Sequence, residues 1–292
     1  MKFGIAVPNF GAYAKREQIV EISSLAEELR YDSLWASDHV VIPSSHKVFG
    51  DTFHDPLVTL SYISANTDRI ELGTSVIILP YRNPLVLAKM VSTLDTLSGG
   101  RLILGIGAGW LEGEFDALGV NYKERGKITD EYIEILKELW TSDNPEYSGD
   151  YYEFSDIKFL PKPSRKPYPP IWVGGDSASA IERAVKYGDG WHPVGLTPGA
   201  FREKAEYLRS MLPSEKKDGF AMSLRRNIEI NDGRELSADD TLRGGRGKIT
   251  QGIREYADAG VTHLILYILA GDYKGILNTL RVFAEEIRPD FE

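Results

Sequence analysis

Residues 69–106 read RIELGTSVIILPYRNPLVLAKMVSTLDTLSGGRLILGI and contain two apolar runs on either side of a helical segment. The runs at 69–79 and 101–106 each predict a strand. Asn83-Pro84 predicts the start of the helix, because an asparagine side chain caps free amides and proline fits the first turn. Gly99-Gly100 predicts its end. A strand, a helix and a second strand form a βαβ unit, in which the strands run parallel.

The same alternation of strand and helix extends outward in both directions from this unit. Further strands are predicted at 2–8, 33–37, 170–175, 190–194, 221–230 and 261–268, and further helices at 16–30, from Asp55-Pro56, and at 124–140, 178–187, 199–211, 248–259 and 274–287. Eight β–α units favour an α/β protein of the closed (β/α)8 or TIM-barrel type. A two-domain doubly wound protein is the alternative, but no linker-like change of composition divides the chain.

Two segments depart from the alternation. Residues 142–170 have no helical period and are rich in proline and aromatic residues, so we expect a non-barrel insertion that contains a short hairpin. Residues 231–248 place Arg234, Arg243, Arg246 and Lys248 among glycines, which is typical of a mobile loop, with a lid over an anionic ligand as the alternative. The expected organisation is a single barrel domain over residues 1–292.

Composition excludes several classes of protein. The chain is 42% hydrophobic and 26% charged, as is usual for a soluble globular protein. With no cysteine and five histidines, it has no disulfide, thiolate zinc site or cysteine nucleophile, and we expect no metal. A net charge of -9 argues against nucleic acid or an anionic membrane as the main partner. No apolar run is long enough to span a bilayer, and Pro8 comes too early for a signal peptide, so a cytoplasmic location is expected.

The catalytic candidates are histidines at predicted strand ends, because barrel active sites form where the strands end. His39 follows Asp38 there, and an imidazole titrating near neutrality can give or take a proton. Neighbouring residues on a strand point to opposite faces, so Asp38 contacts His39 only if the strand bends. The alternative role for His39 is structural, with its ring bonded to backbone. His192 is the second candidate, without an acidic neighbour.

Two glycine clusters also follow strands. Residues 105–110 read GIGAGW, and the tryptophan at the sixth position excludes a dinucleotide fingerprint. These glycines indicate either a crowded strand end or a floor that admits a flat ring close to the backbone. Residues 174–177 read GGDS before a helix and offer free amides to a phosphate. The alternative is a tight turn in which Asp176 or Ser177 only caps the helix.

The chain resembles the bacterial luciferase-like oxidoreductases, and within them the branch that uses the deazaflavin coenzyme F-420 instead of FMN. The segments that carry the likeness are residues 37–43, 79–89, 95–101, 107–110 and 170–175. The resemblance implies a (β/α)8 barrel whose mouth binds a flat tricyclic ring, with F-420 as cofactor and FMN as the alternative. It also implies a homodimer formed through barrel helices.

The resemblance assigns roles to particular residues. His39 matches the acid/base histidine, with Asp38 beside it as the second catalytic candidate. A non-proline cis peptide bond that backs the ring falls on Ser75-Val76. The implied cofactor-binding residues are Ser75, Val76, Gly107, Gly174, Gly175, Asp176, Ser177 and Ala178. Basic side chains expected to attract the acidic tail of F-420 are Arg82, Arg243 and Arg246.

One departure leaves the substrate unassigned. Deazaflavin-dependent sugar-phosphate dehydrogenases of this fold have a glutamate where this chain has Ala108. The expected activity is hydride transfer between F-420 and a small organic substrate. The alternatives are an FMN-dependent monooxygenase supplied by a partner flavin reductase and a flavin-binding barrel without catalysis.

Overall fold

Strands and helices alternate through a computed structural model that describes residues 1–44, 46, 50, 52–231 and 242–292. The strands are β1 Lys2–Ala6, β2 Ser33–Ala36, β3 Glu71–Thr74, β4 Ile77–Ile78, β5 Leu102–Gly107, β6 Tyr147–Ser148, β7 Glu153–Phe154, β8 Ile171–Gly174, β9 Gly190–His192, β10 Ala221–Ile230, β11 Leu242–Gly244 and β12 His263–Ile268. The helices are α1 Arg16–Glu28, α2 Pro56–Ser64, α3 Pro84–Leu97, α4 Glu112–Leu118, α5 Arg125–Thr141, α6 Ala178–Tyr187, α7 Pro198–Met211, α8 Ser214–Lys217, α9 Arg246–Asp258 and α10 Tyr273–Val282.

The main sheet closes into a barrel of parallel strands. The order around it is β1, β2, β3, β5, β8, β9, β10 and β12, and β12 pairs with β1 through His263 and Lys2. Strand β4 continues the path of β3 and pairs with β5. The predicted (β/α)8 barrel is therefore confirmed, and the doubly wound alternative is wrong because an open sheet would leave two unpaired edges.

Helix starts follow the capping residues expected from the sequence. The Asp55 side chain accepts hydrogen bonds from the amides of Leu57 and Val58 at the start of α2. Asn83 does the same for Leu85 and Val86 at the start of α3. Each cap is followed by a proline that needs no hydrogen-bond acceptor for its nitrogen. These caps fix where each helix leaves the barrel mouth.

The apolar core has two parts. The larger part lies between the strands and the surrounding helices. The smaller part fills the barrel interior with Trp35, Ile103, Trp172 and Ile265, and the rings of Trp35 and Trp172 stack with centroids 5.1 Å apart. The interior is therefore packed rather than open, and these rings close the lower end of the cavity at the mouth.

Some elements differ from the sequence prediction. Helices α4 and α8 were not predicted, and strand β11 and the start of α9 fall inside the segment 231–248 that was expected to be a loop. Residues 232–241 of that segment, with Arg234, lie outside the described residues. Strands β6 and β7 form an antiparallel pair within 142–170. No helix in the described part of the chain is long and apolar enough to cross a membrane.

Candidate active site

A cavity of about 700 Å³ opens at the carboxyl ends of the barrel strands. Its lining includes most of the residues predicted from the sequence, namely Asp38, His39, Ser75, Val76, Gly107, Gly174, Gly175, Asp176 and Ser177. Ala178, the first residue of α6, is outside the lining. Across residues 1–44, 46, 50, 52–231 and 242–292, there is no group of three or more histidine or acidic side chains placed to hold a metal ion.

The floor of the cavity is formed by Val76. The peptide bond between Ser75 and Val76 is cis, as the resemblance implies. A Cβ atom on Gly107 would lie 2.7 Å from Val76 Cγ2, and one on Gly174 would lie 3.0 Å from Val76 Cγ1. Both glycines are therefore needed because the Val76 side chain fills the space beside them. This supports the crowded strand end among the two interpretations of the glycine cluster.

His192 supports Ser75 from below. Its Nε2 lies 2.9 Å from Ser75 Oγ, its Nδ1 lies 2.8 Å from Ser223 Oγ, and its ring stacks on Trp35 with centroids 4.9 Å apart. Burial, assisted by the charge of Arg225, lowers the pKa of His192 to about 3. An imidazole with this pKa is neutral at pH 7, with a proton on one ring nitrogen only. The geometry makes His192 a support for the cavity floor.

His39 is held by a glutamate that the sequence analysis missed. The Nδ1 of His39 lies 2.7 Å from Oε2 of Glu114, which is fully buried on α4. The other carboxylate oxygen accepts hydrogen bonds from the amides of Val40 and Val41 at 2.6 and 3.1 Å. Burial raises the pKa of Glu114, but the bonds from His39 and the two amides lower it by more, so the net shift is downward. An ionised Glu114 can only accept, so Nδ1 of His39 donates to it.

Asp38 is bound by Arg82 and by a backbone amide. Its two oxygens pair with Arg82 at 2.6 and 2.8 Å, and the amide of Ile78 donates to it at 2.9 Å. Arg82 also contacts Asp55 at 2.9 Å. Burial lowers the pKa of Arg82, whereas the two carboxylates raise it by more. Asp38 therefore anchors the chain just after the cis peptide, and His39 takes its carboxylate from Glu114 instead.

The turn after β8 lies at the start of α6. Gly175 has φ +96°, which favours glycine, and its carbonyl accepts a hydrogen bond from Trp191 at 2.7 Å. Ser177 caps α6 by accepting from the amide of Ala180 at 3.2 Å. The carboxylate of Asp176 lies 3.8 Å from Lys204. Ser177 is thus a helix cap and a cavity residue at once.

The basic side chains that line the cavity are not those proposed from the sequence. Arg82 is engaged by carboxylates, Arg243 pairs with Glu229 at 2.7 Å, and Arg246 lies 4.0 Å from Glu286. None of these three lines the cavity. The basic residues that do are Lys123, Arg125, Arg183 and Arg225.

Of these four basic residues, Arg183 alone is paired with a carboxylate in the part of the chain that the structure describes. Arg183 is paired with Asp130 at 2.5 Å and donates to the carbonyl of Gly126. Arg125 donates to the carbonyl of Tyr122 and lies over its ring at 3.9 Å. Among the residues the structure describes, no carboxylate pairs with Arg125 or with Lys123. Positive charge is therefore left at the edge of the cavity where α5 begins.

Arg225 is a second residue that the sequence analysis missed. It lies on β10, where its Nη1 donates to Ser37 Oγ at 2.8 Å and to the carbonyl of Ser75 at 3.4 Å. Burial lowers its pKa. The sequence of β10 contains a pattern that could have predicted this position for Arg225. Ser223, Arg225 and Asn227 are spaced by two residues along the strand and therefore share its inward face.

A family model described as luciferase-like monooxygenase matches residues 1–243. The F-420-dependent glucose-6-phosphate dehydrogenase of Amycolatopsis mediterranei is 36% identical over 179 residues, which are 59% of this chain and 52% of that protein. The FMNH(2)-dependent dimethylsulfone monooxygenase of Pseudomonas putida is 30% identical over 163 residues, 55% of this chain and 45% of that protein. The chain thus spans about half the length of these two relatives.

Solved structures show the same fold at lower identity. A monooxygenase from Streptomyces bottropensis superposes with a TM-score of 0.86 at 22% identity, covering 100% of both chains. A coenzyme F-420-dependent tetrahydromethanopterin reductase from Methanopyrus kandleri superposes with a TM-score of 0.82 at 17% identity, covering 100% of this chain and 99% of the other. Both likenesses concern the barrel fold.

Proposed function

Since the chain belongs to the luciferase-like monooxygenase family, whose members include F-420-dependent and FMN-dependent enzymes, we propose that it is an oxidoreductase that transfers a hydride between F-420 and a small organic substrate. His39 moves the accompanying proton. The observation that carries the choice of F-420 is the pair of basic side chains, Lys123 and Arg125, at the cavity edge without carboxylate partners among the described residues.

The residues present fit a deazaflavin. The turn at residues 175–177 offers backbone amides and the positive end of α6 to a phosphate. FMN ends in a single phosphate, whereas F-420 carries a phosphodiester and an acidic tail. Lys123 and Arg125 give that additional negative charge two cationic partners, and charge-assisted hydrogen bonds are the stronger kind. The floor formed by Val76, Gly107 and Gly174 has no polar side chain, which suits one face of a flat ring.

The protein's own contribution is to position the substrate and to move a proton. When bound, F-420 supplies or accepts the hydride. His39 lines the cavity, and because its Nδ1 is bonded to Glu114, the proton is exchanged through Nε2. A substrate that is reduced gains a hydride at carbon and a proton at its heteroatom from His39; in the opposite direction both are removed. A positioned acid or base of this kind is worth ~10²–10⁴-fold in rate.

Titration calorimetry with F-420 and with FMN tests the choice of cofactor. We expect F-420 to bind the wild-type protein at least ~10-fold more tightly, because each charge-assisted hydrogen bond is worth ~1.5–3 kcal/mol. Arg125→Gln should reduce affinity for F-420 more than affinity for FMN. Arg202→Gln, which removes an exposed charge from α7, is the matched control and should change neither.

The opposite order of affinities for F-420 and FMN would support a different activity. Tighter binding of FMN would replace this proposal with an FMN-dependent monooxygenase that receives reduced flavin from a reductase, the activity named for the Pseudomonas putida relative. Failure to bind either cofactor would contradict both.

A second copy of the chain is the proposed protein partner. Helices α2 and α3 pack side by side and expose apolar side chains, among them Val58 at 63% and Val86 at 57% of their full accessible surface. Exposed apolar surface of this kind is typical of protein interaction sites. This placement refines the homodimer expected from the resemblance.

A further inference from the structure

Three aromatic rings form one wall of the site, which we call the aromatic wall and define as Tyr267, Phe10 and Phe53. Phe10 stacks on Phe53 with centroids 5.0 Å apart and on Tyr267 with centroids 5.7 Å apart, with 7° between the ring planes in both pairs. Phe10 and Phe53 line the cavity. His39 meets Phe53 edge-on, with centroids 5.2 Å apart. The aromatic wall therefore leads from Tyr267 to the proposed proton carrier.

Arg225 stands at the other end of the aromatic wall. Its guanidinium carbon lies 5.0 Å from the centre of the Tyr267 ring. The guanidinium donates two hydrogen bonds to described residues, both from Nη1, to Ser37 Oγ and to the carbonyl of Ser75. Within residues 1–44, 46, 50, 52–231 and 242–292, neither Nε nor Nη2 has a hydrogen-bond acceptor and no carboxylate pairs with the side chain.

An arginine in this position calls for an anionic ligand. A cation removed from water without a paired charge is costly, and a guanidinium stays protonated under such conditions. Its remaining N–H groups form a planar fork that matches a carboxylate. Because Arg225 lines the cavity, a ligand in the cavity can reach that fork.

The position around the barrel separates this anion site from the proposed cofactor residues. Arg225, Tyr267 and Phe10 belong to β10, to β12 and to the end of β1, with Phe53 after β2. The residues proposed for the cofactor follow β3, β5 and β8, which occupy the next arc of the barrel. The two groups meet at His39 and at the hydrogen bond from Arg225 to the carbonyl of Ser75.

We propose that the substrate is a carboxylate with a planar or apolar body. Arg225 binds the carboxylate, Phe10 and Phe53 pack against the body, and the far end of the molecule reaches His39. This assignment rests on the proposed function only in calling the ligand a substrate. Binding of the carboxylate itself does not depend on which cofactor the protein uses.

Benzoate and its neutral analogue benzamide are suitable probes, measured by titration calorimetry on the full-length protein with and without saturating cofactor. We expect the wild-type protein to bind benzoate at least ~10-fold more tightly than benzamide, as for loss of a hydrogen bond to a charged group. Arg225→Gln should abolish that preference, and Arg202→Gln should keep it. Arg225→Lys retains the positive charge but not the planar set of N–H donors, so it should keep part of the preference for benzoate over benzamide. This variant tests the proposal even if Arg225→Gln fails to fold.

Three results would overturn the assignment. The first is equal affinity of the wild-type protein for benzoate and benzamide. The second is a benzoate preference that persists in Arg225→Gln. The third is an Arg225→Gln protein that loses affinity for F-420 or FMN but not for benzoate, which would place Arg225 against the cofactor ring. Tighter binding of FMN than of F-420 would contradict the proposed function while leaving the benzoate preference intact, so the two failures are distinguishable.

Discussion

The imidazole of His39 and the buried carboxylate of Glu114 lie 2.7 Å apart, and this contact fixes which nitrogen of the histidine can exchange a proton. Two backbone amides hold the second oxygen of Glu114, so the carboxylate cannot rotate freely. With Nδ1 donating to Glu114, proton exchange with a ligand in the cavity would use Nε2.

Glu114→Gln should lower turnover by ~10²-fold or more. The amide oxygen of glutamine would accept the hydrogen bonds from the amides of Val40 and Val41, so its NH2 group would face His39. An NH2 group donates to Nδ1 of His39, which favours the tautomer with the proton on Nε2. The measurement is kcat with a substrate found by screening, together with cofactor affinity, which should be unchanged. Glu114→Asp, with the charge restored, should recover part of the rate. Equal turnover of the glutamine variant and wild type would show that Glu114 does not orient His39.

His39→Asn should reduce kcat by ~10²–10⁴-fold while leaving cofactor affinity within a few fold of wild type. The reason is that the proton carrier is lost but the cavity floor, formed by Val76 and its neighbouring glycines, is intact. Stopped-flow measurement of the deazaflavin absorbance in single turnover isolates the chemical step. A wild-type rate in this variant would assign the proton transfer to another group.

Stability should fall as the pH drops below about 6.5 because of His192. Its pKa is 6.5 when unperturbed and about 3 in the folded protein, so the unfolded chain binds a proton between these values that the folded chain does not. Each such proton changes the free energy of unfolding by ~1.4 kcal/mol per pH unit. His263, whose pKa burial also lowers to about 3, adds a second proton.

Urea unfolding of wild type, His192→Gln and His263→Gln between pH 4 and 7 measures this effect. In each variant, the slope of the free energy of unfolding against pH should be smaller than in wild type, by the amount that one bound proton contributes. A slope identical to wild type in both variants would mean that these histidines are protonated in the folded protein.

Ser177→Ala should weaken cofactor binding ~10- to 100-fold if Ser177 binds the phosphate. It should also cost ~1 kcal/mol of stability because the α6 cap is lost. Thr197→Ala is the matched control, since Thr197 caps α7 by accepting from Ala200 and does not line the cavity. Melting temperature without ligand and cofactor affinity are measured for both. Equal cofactor affinity in the two variants would make Ser177 a cap only.

Val58→Glu combined with Val86→Glu should convert a dimer into monomers, because burying two new carboxylates at the α2–α3 face is costly. Sedimentation velocity over a range of concentrations gives the association state of wild type and variant. Thr141→Glu, an exposed change on α5, is the control. A wild-type protein that sediments as a monomer at all concentrations would contradict the homodimer.

The barrel could be predicted from the sequence because strand runs, capping residues and glycine stops recur along the whole chain. Glu114 could not, because α4 is only seven residues long and its N-cap residue, Leu111, makes no side-chain capping hydrogen bond. The partner of Asp38 was not predicted either, since Arg82 lies 44 positions away and only the barrel brings the two together. Arg225 was not predicted because Arg226 follows it directly, so polar and apolar residues do not alternate at this point of β10. Arg226 is nevertheless buried on the opposite face of the strand.

The fit of Val76 against Gly107 and Gly174 has a consequence for attempts to redesign this protein. Three parts of the chain that are far apart in sequence meet there, and a methyl group on either glycine would come within 3.0 Å of the valine. A mutant library that randomises these positions would mostly yield distorted proteins. Val194 and Asn227 line the same cavity but are exposed to solvent, so variation there changes the shape of the pocket without disturbing the floor. New substrate preferences are therefore accessible from the rim of the cavity, and the floor is best kept constant.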